Sequence, residues 1–214
     1  MSPSKQNKIP PKIKATRDYY NTYAREWSSE KTDSFYHEKF FTLLTTLLKP
    51  KSHVLDIGCA GAIHVPLFLG IGRKLRYMGL DISKSFLSIA RLRYPHLTFA
   101  EGNIADRSTL PKKKFDGFMA MAILMHVPYE NWDEMFSNIE HLMKPGAYGC
   151  LSIPTMHASG SLGKKDTDVR QFTIVEQPAF LHYLKKRGWK IIRKEPYINS
   201  RTKVTWWSYI VQIP

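Results

Sequence analysis

The stretch that most constrains this chain is "HVLDIGCAGAIHVPLFLG", residues 53–70. An apolar run ends at Asp56, a Gly58-Cys59-Ala60-Gly61 turn follows, and apolar residues then recur at helical spacing. A strand that passes through a small-residue turn into a helix turns the helix N-terminus, with its spare N–H groups, toward a ligand. A dinucleotide site needs G-x-G-x-x-G at this point, because a pyrophosphate requires close backbone approach. Here Gly58 is followed by Ala60 and Ile63, so two of the three glycine positions fail. Asp56 also puts a carboxylate two residues ahead of the turn, which suits an amine-bearing or cationic ligand better than a pyrophosphate. The nicotinamide reading fails on both counts.

The rest of the chain alternates. Helical spacing over Thr16–Trp27 and a second apolar face of Tyr36, Phe40, Leu43, Leu44 and Leu47 precede the first strand. "LRYMGLDI", "LTFAEGNI", "FDGFMAMA" and "AYGCLSIP" read as further strands, with Ser83 capping a helix between the second and third. "ENWDEMFSNIEHLM" is an amphipathic helix expected to stop at Lys144-Pro145-Gly146, and "EQPAFLHYLKKRG" is another, stopped by Gly188. "WKIIRKE" and "KVTWWSYIVQI" close the chain as two strands with no helix between them, so that pair is expected to be antiparallel. Trp206 and Trp207 point to opposite faces, which places at least one in the core.

Strand–helix alternation requires right-handed crossovers and a parallel sheet covered on both faces. The expectation is one α/β sandwich: a mostly parallel seven-stranded sheet, an antiparallel last strand, and helices on both faces. Residues 1–14 read as a disordered basic tail, 15–50 as a helical extension or lid, and 51–214 as the main domain. Residues 154–174 form a long polar segment, expected to act as a substrate loop.

Composition narrows the function classes. With 214 residues and 43% hydrophobic content the chain can bury a full core. Cys59 and Cys150 are far apart and no histidine pair has ligand spacing, so no metal is expected. The longest apolar run, "FMAMAILM", is too short to span a bilayer, and the start lacks a signal-peptide core, so a cytoplasmic location is expected. A net charge of +14 suggests an acidic partner, but the cations are scattered and form no stripe on any one element. They read as solvated faces, which leaves a nucleic-acid role disfavoured.

The residues at the turn resemble those of the class I S-adenosylmethionine-dependent methyltransferases. "VLDIGCAGA" at 54–62 is similar to that family's first motif, and "GLDIS" at 79–83 to its second-strand motif, with the acidic residue 25 positions after Asp56. "FAEGNI", "FDGFMAMAILMHV" and "LMKPGA" follow in the family's order, and "YYNTYAREW" resembles a helix common in small bacterial members, with Asn21 in place of Asp. The resemblance implies a Rossmann-like fold and S-adenosylmethionine as cofactor. It implies that Asp81 accepts the ribose hydroxyls and that Ile82 and Ile104 sandwich the adenine. Asn103 would accept from the adenine amino group through its carbonyl. Gly58 would admit the methionyl part, with Ala60 and Gly61 completing the turn, and Asp56 would act on the amino group. Ala120, Met121 and Leu124 would line the pocket beside the sulfonium methyl.

Ala60 and Ala62 stand where the family has glycines, so both are expected at negative φ, with Gly61 supplying the flexible residue. His126 reads first as a packing or hydrogen-bonding residue. It is also the candidate base, with Tyr20 as its catalytic companion on the N-terminal helix beside Tyr23 and Trp27. His64 lies close to the turn with no assigned role. A small-molecule substrate, anionic groups included, is the leading expectation, for a monomer or homodimer. An RNA methyltransferase and a cofactor-binding protein without turnover are the alternatives.

Overall fold

The structure, a computed structural model, describes residues 9–29, 34–70, 72–155, 169–199 and 203–214. Five parallel strands form the heart of the sheet: β1 (His53–Ile57), β2 (Arg76–Asp81), β3 (Thr98–Glu101), β4 (Phe115–Ala120) and β5 (Met143–Thr155). β6 (Lys190–Ile198) and β7 (Thr205–Gln212) follow, and β7 pairs antiparallel with both β5 and β6. The sheet order is β3-β2-β1-β4-β5-β7-β6, and the antiparallel last strand is the one the final helix-free connection implies.

Both faces are covered, which is why the strands read as nearly continuous apolar runs rather than alternating ones. On β1, Val54 points to the layer of α2 (Ser34–Leu47), α3 (Val65–Gly70) and α4 (Lys84–Arg93), packing with Phe41, Leu44, Phe68 and Leu87. Leu55 and Ile57 point the other way, to α5 (Trp132–Leu142) and α6 (Gln177–Lys186), packing with Trp132, Phe136, Phe180 and Leu184. Trp132 ties this core to the loop after β4: its ring is fully buried against Phe136 and Phe180, and its Nε1 donates to the Val127 carbonyl at 3.1 Å. Removing such a ring costs about 3–5 kcal/mol. Trp206 is buried and Trp207 packs at the core margin.

Two boundaries differ from expectation. The first helix, α1, runs Pro11–Ser29, so the boundary expected at residue 14 falls inside it. Proline is pre-set for a helix start, and Ile13, one turn in, is buried in the core beneath α5 and α6. Residues 1–8 of the expected tail lie outside the described residues. At the other end of the α5 crossover, Lys144-Pro145-Gly146 does not follow the helix as a loop. β5 already begins at Met143, opposite Phe115, and a register irregularity between Phe115 and Gly117 takes up the proline. Of the expected substrate loop, residues 156–168 lie outside the described residues. No described helix is long and apolar enough to cross a membrane.

Candidate active site at the carboxyl ends of four neighbouring strands

The ends of β3, β2, β1 and β4 lie side by side in the sheet, and each contributes to one site. After β1 the chain turns at Gly58, whose φ is 74°. A Cβ there would meet the Ile123 side chain at 2.9 Å. The N–H groups of Gly58 and Cys59 both donate to the Leu80 carbonyl, at 2.7 and 3.2 Å, which fastens the turn to the end of β2.

The alanines of this turn correct the sequence reading. Ala60 has φ 47° and Ala62 φ 62°, both left-handed, while Gly61 does not have a positive φ. The reason is tertiary. The Ala60 N–H donates to Asp81 Oδ2 at 2.9 Å, and the Ala62 N–H closes on the Cys59 carbonyl at 2.9 Å. These bonds hold a conformation that costs a non-glycine residue about 1–3 kcal/mol. Gly61 is required for space instead: a Cβ would lie 2.5 Å from Ser28 Oγ, because the end of α1 packs directly on the turn. Arg93 bridges the two, donating to the Gly61 carbonyl at 2.9 Å and the Ser28 carbonyl at 2.7 Å.

Asp81 is buried and accepts one N–H on each oxygen, from Ala60 and, at 2.8 Å, from Ser83. Burial pushes its pKa up to about 6, against the pull of those two N–H groups. Each oxygen keeps a lone pair for a further donor. Asp56, almost wholly buried, accepts from the Tyr77 hydroxyl on Oδ2 at 2.9 Å, and His64 Nδ1 lies 3.7 Å from the same oxygen. Asp56 Oδ1 has no hydrogen-bond partner. At Asn103, Oδ1 accepts from the Ala105 N–H at 3.0 Å, and the buried atom without a partner is the donor Nδ2. A local Asx turn fixes the amide this way round. Ile104 is buried and Ile82 partly so, both at the margin of the α5 core, and Asn138 on α5 holds the Ile104 carbonyl at 2.9 Å. Ala120, Met121 and Leu124 are all buried at the end of β4.

Tyr20 and His126 meet. The Tyr20 hydroxyl is 2.9 Å from His126 Nε2, and His126 Nδ1 is 2.8 Å from the Gln171 carbonyl. A carbonyl only accepts, so Nδ1 carries the proton and a neutral His126 offers the Nε2 lone pair to the Tyr20 hydroxyl. Arg170 Nη1 donates to the same hydroxyl at 3.2 Å. Its guanidinium lies among four rings, those of Tyr19, Tyr20, Trp27 and Phe172, at 4.7, 5.7, 5.3 and 5.0 Å. Nothing periodic in the sequence marks Arg170; the one hint is its place in the polar stretch two residues before Phe172. Asn21 is also engaged, accepting from Ser83 Oγ at 2.8 Å and from the Ser85 N–H at 3.3 Å, so α1 helps cap α4. Tyr23, by contrast, is exposed at the kink of α1.

Residues 54–146 match the family model of a methyltransferase domain. No curated protein matches the chain in sequence. Among solved structures, the chain is similar to magnesium protoporphyrin IX methyltransferase from Synechocystis PCC 6803 with bound S-adenosylhomocysteine. The TM-score is 0.72 at 17% identity, over 95% of this chain and 100% of that one. It is also similar to 1,6-didemethyltoxoflavin-N1-methyltransferase from Burkholderia thailandensis, with TM-score 0.70 and 14% identity, over 96% and 92% of the two chains. The cyclase SpnF shares the fold as well, with TM-score 0.72 and 15% identity, over 97% and 98%. Motif order and the matched model give residues 54–146 a methyltransferase domain, and the strand order sets it in the Rossmann-like fold that these solved structures share.

Proposed function

We propose that this protein transfers the methyl group of S-adenosylmethionine to a nucleophilic atom of a small molecule. The observation that carries the reading is the pair of buried polar atoms without partners, Asp56 Oδ1 and Asn103 Nδ2, on either side of Asp81. Leaving such atoms unsatisfied costs about 1–3 kcal/mol each, so they fit a ligand that carries both a cationic donor and an acceptor. The cofactor has that chemistry. Asp56 Oδ1 would take its ammonium group, Asp81 its ribose hydroxyls, and Asn103 Nδ2 an adenine ring nitrogen, with Ile82 and Ile104 against the base.

When bound, the cofactor supplies an electrophilic methyl, so the protein's task is to orient the acceptor and exclude water. Ala120, Met121 and Leu124 give that end of the site an apolar wall. Tyr20 and His126 serve the acceptor. A proton leaving the substrate reaches the Tyr20 oxygen as the Tyr20 proton passes to His126 Nε2, while Arg170 favours the phenolate. The Gln171 carbonyl holds the tautomer this requires.

Because a cyclase shares the fold, binding and transfer need separate readouts. Calorimetry should detect S-adenosylmethionine and S-adenosylhomocysteine but not NAD. Methyl-labelled cofactor should then label a metabolite fraction rather than RNA. Cofactor binding with no label in any fraction would leave a binding protein without turnover, and label in RNA would overturn the small-molecule reading.

A further inference from the structure

The cations that look scattered along the sequence are gathered by the topology. In a parallel sheet every turn that leads into a strand lies at the same, amino, edge. Here those turns carry Lys49 and Lys51 ahead of β1, and Arg73 and Lys74 ahead of β2, which opens with Arg76. The turn ahead of β4 is the run 112–114, all lysine, and Lys144 stands near the start of β5. β2, β1, β4 and β5 are consecutive in the sheet, so these side chains form one row about 14 Å long.

Contacts along this edge bear out the row. The Lys51 N–H donates to the Arg73 carbonyl at 3.4 Å, and Arg73 Nη1 to the Leu48 carbonyl at 2.7 Å. His53 pairs with Arg76 in register, and its N–H donates to Asp116 Oδ2 at 2.8 Å. Lys144 reaches the other oxygen of Asp116 at 2.6 Å. Asp116 is the only carboxylate that pairs with this row among the described residues. The imidazole of His53 registers the field: burial lowers its pKa, and Lys113, Arg76 and Lys144 lower it further against Asp116.

A structural explanation accounts for part of this charge. α2, α3, α4 and α5 all end at the amino edge, and cations favour helix C-termini. Four helix ends amount to about −2 charges, however, and Asp116 adds one more. The row holds far more cations than those can balance.

We propose that this edge docks a polynucleotide through its phosphate backbone, independently of the methyl-transfer reading. A single row suits a linear polyanion. A membrane-binding face would carry apolar anchors beside its lysines, and none of the exposed large hydrophobic residues lies in these turns. Among the described residues, the exposed large hydrophobics that reach this edge are Leu69 and Leu92, single side chains in the last turns of α3 and α4, against nine cations in the row. The row is separated from the cofactor turn by the length of β1, about 16 Å, so it anchors a partner rather than presenting a base for methylation.

The test uses the full chain, a labelled single-stranded oligouridylate, fluorescence anisotropy and a salt series. The expected result is binding that weakens linearly on a log–log plot as salt rises. Lys49→Gln, Lys112→Gln and Lys113→Gln combined should weaken it at least about tenfold and reduce the salt slope by about 2. The same triple variant should bind S-adenosylhomocysteine like the parent, which separates failure here from failure of the cofactor site. Equal oligouridylate affinity in parent and variant would overturn the proposal. So would no oligouridylate binding alongside capture by phosphatidylserine vesicles.

Discussion

The two edges of the central sheet are made from the same strands and differ in almost every physical respect. At the carboxyl edge, charge is negative and buried: Asp56 and Asp81 lie under the turn, polar atoms lack partners, and two alanines sit in left-handed backbone. At the amino edge, charge is positive and exposed, and its one acidic partner among the described residues, Asp116, is paired by Lys144 and by the His53 N–H. A ligand that must be held rigidly is met by desolvated groups whose cost it repays on binding. A partner held by charge alone is met by mobile cations that stay in water. Substitutions at the two edges should therefore differ in what they change, and by how much.

The largest effect is expected on turnover. Tyr20→Phe keeps the ring beside Arg170 and deletes the hydroxyl between Arg170 and His126. Loss of a proton-transfer group lowers rates about 10²- to 10⁴-fold. Both Tyr20→Phe and His126→Gln should slow transfer on that scale while S-adenosylhomocysteine affinity stays within about threefold, below ~1 kcal/mol. Full activity in Tyr20→Phe would return the pair to a packing role.

Next comes cofactor affinity. Asp81→Ala removes an ionised acceptor and the partner of the Ala60 N–H, which should weaken binding by about 2–4 kcal/mol in calorimetry. The same carboxyl sets a pH dependence. Its folded pKa is raised from 3.8 to about 6, so the free protein loses stability as pH rises through that window, by up to about 3 kcal/mol, and regains it on acidification. Ribose hydroxyls donate to the ionised form, so cofactor affinity should move the opposite way and fall below pH 6. Affinity that is flat from pH 5 to 7 would remove Asp81 from the ribose contact.

How much of this was legible depends on the range of the forces involved. The strand–turn–helix of 53–70, the place of Asp81 at the end of β2, and the helix-free last connection are local signals, and they were readable. The left-handed φ of Ala60 and Ala62 was not, because alanine's own preference opposes it; Asp81, 21 residues on, holds Ala60, and the Cys59 carbonyl holds Ala62. The donor role open to Asn103 was missed for a similar reason, since the Ala105 N–H bonds its carbonyl and leaves Nδ2 as the atom without a partner. Arg170 meets Tyr20 across 150 residues, which no spacing rule reaches. The basic row was visible only as fragments until strand order brought the fragments together.

The smallest effect tests the comparison most finely, because both edges hold left-handed residues other than glycine. Ala60 is at φ 47° on the carboxyl side, and Lys74 at φ 52° on the amino side. Replacing either with glycine relieves about 1–2 kcal/mol of steric cost but adds about 0.4–1 kcal/mol of unfolded-chain entropy. The net gain is below about 1 kcal/mol, a rise of roughly 1–3 °C in Tm for a chain of this size. The stability gains should thus match at the two edges. Binding should separate them. Ala60→Gly frees the turn whose N–H holds Asp81, so S-adenosylhomocysteine affinity should fall a fewfold as the site loses its rigidity. Lys74→Gly should leave that affinity untouched and only slightly weaken oligouridylate binding. Were Ala60→Gly to raise Tm with cofactor affinity unchanged, the strained turn would be a structural feature of β1 and not a device that orders Asp81 for its ligand.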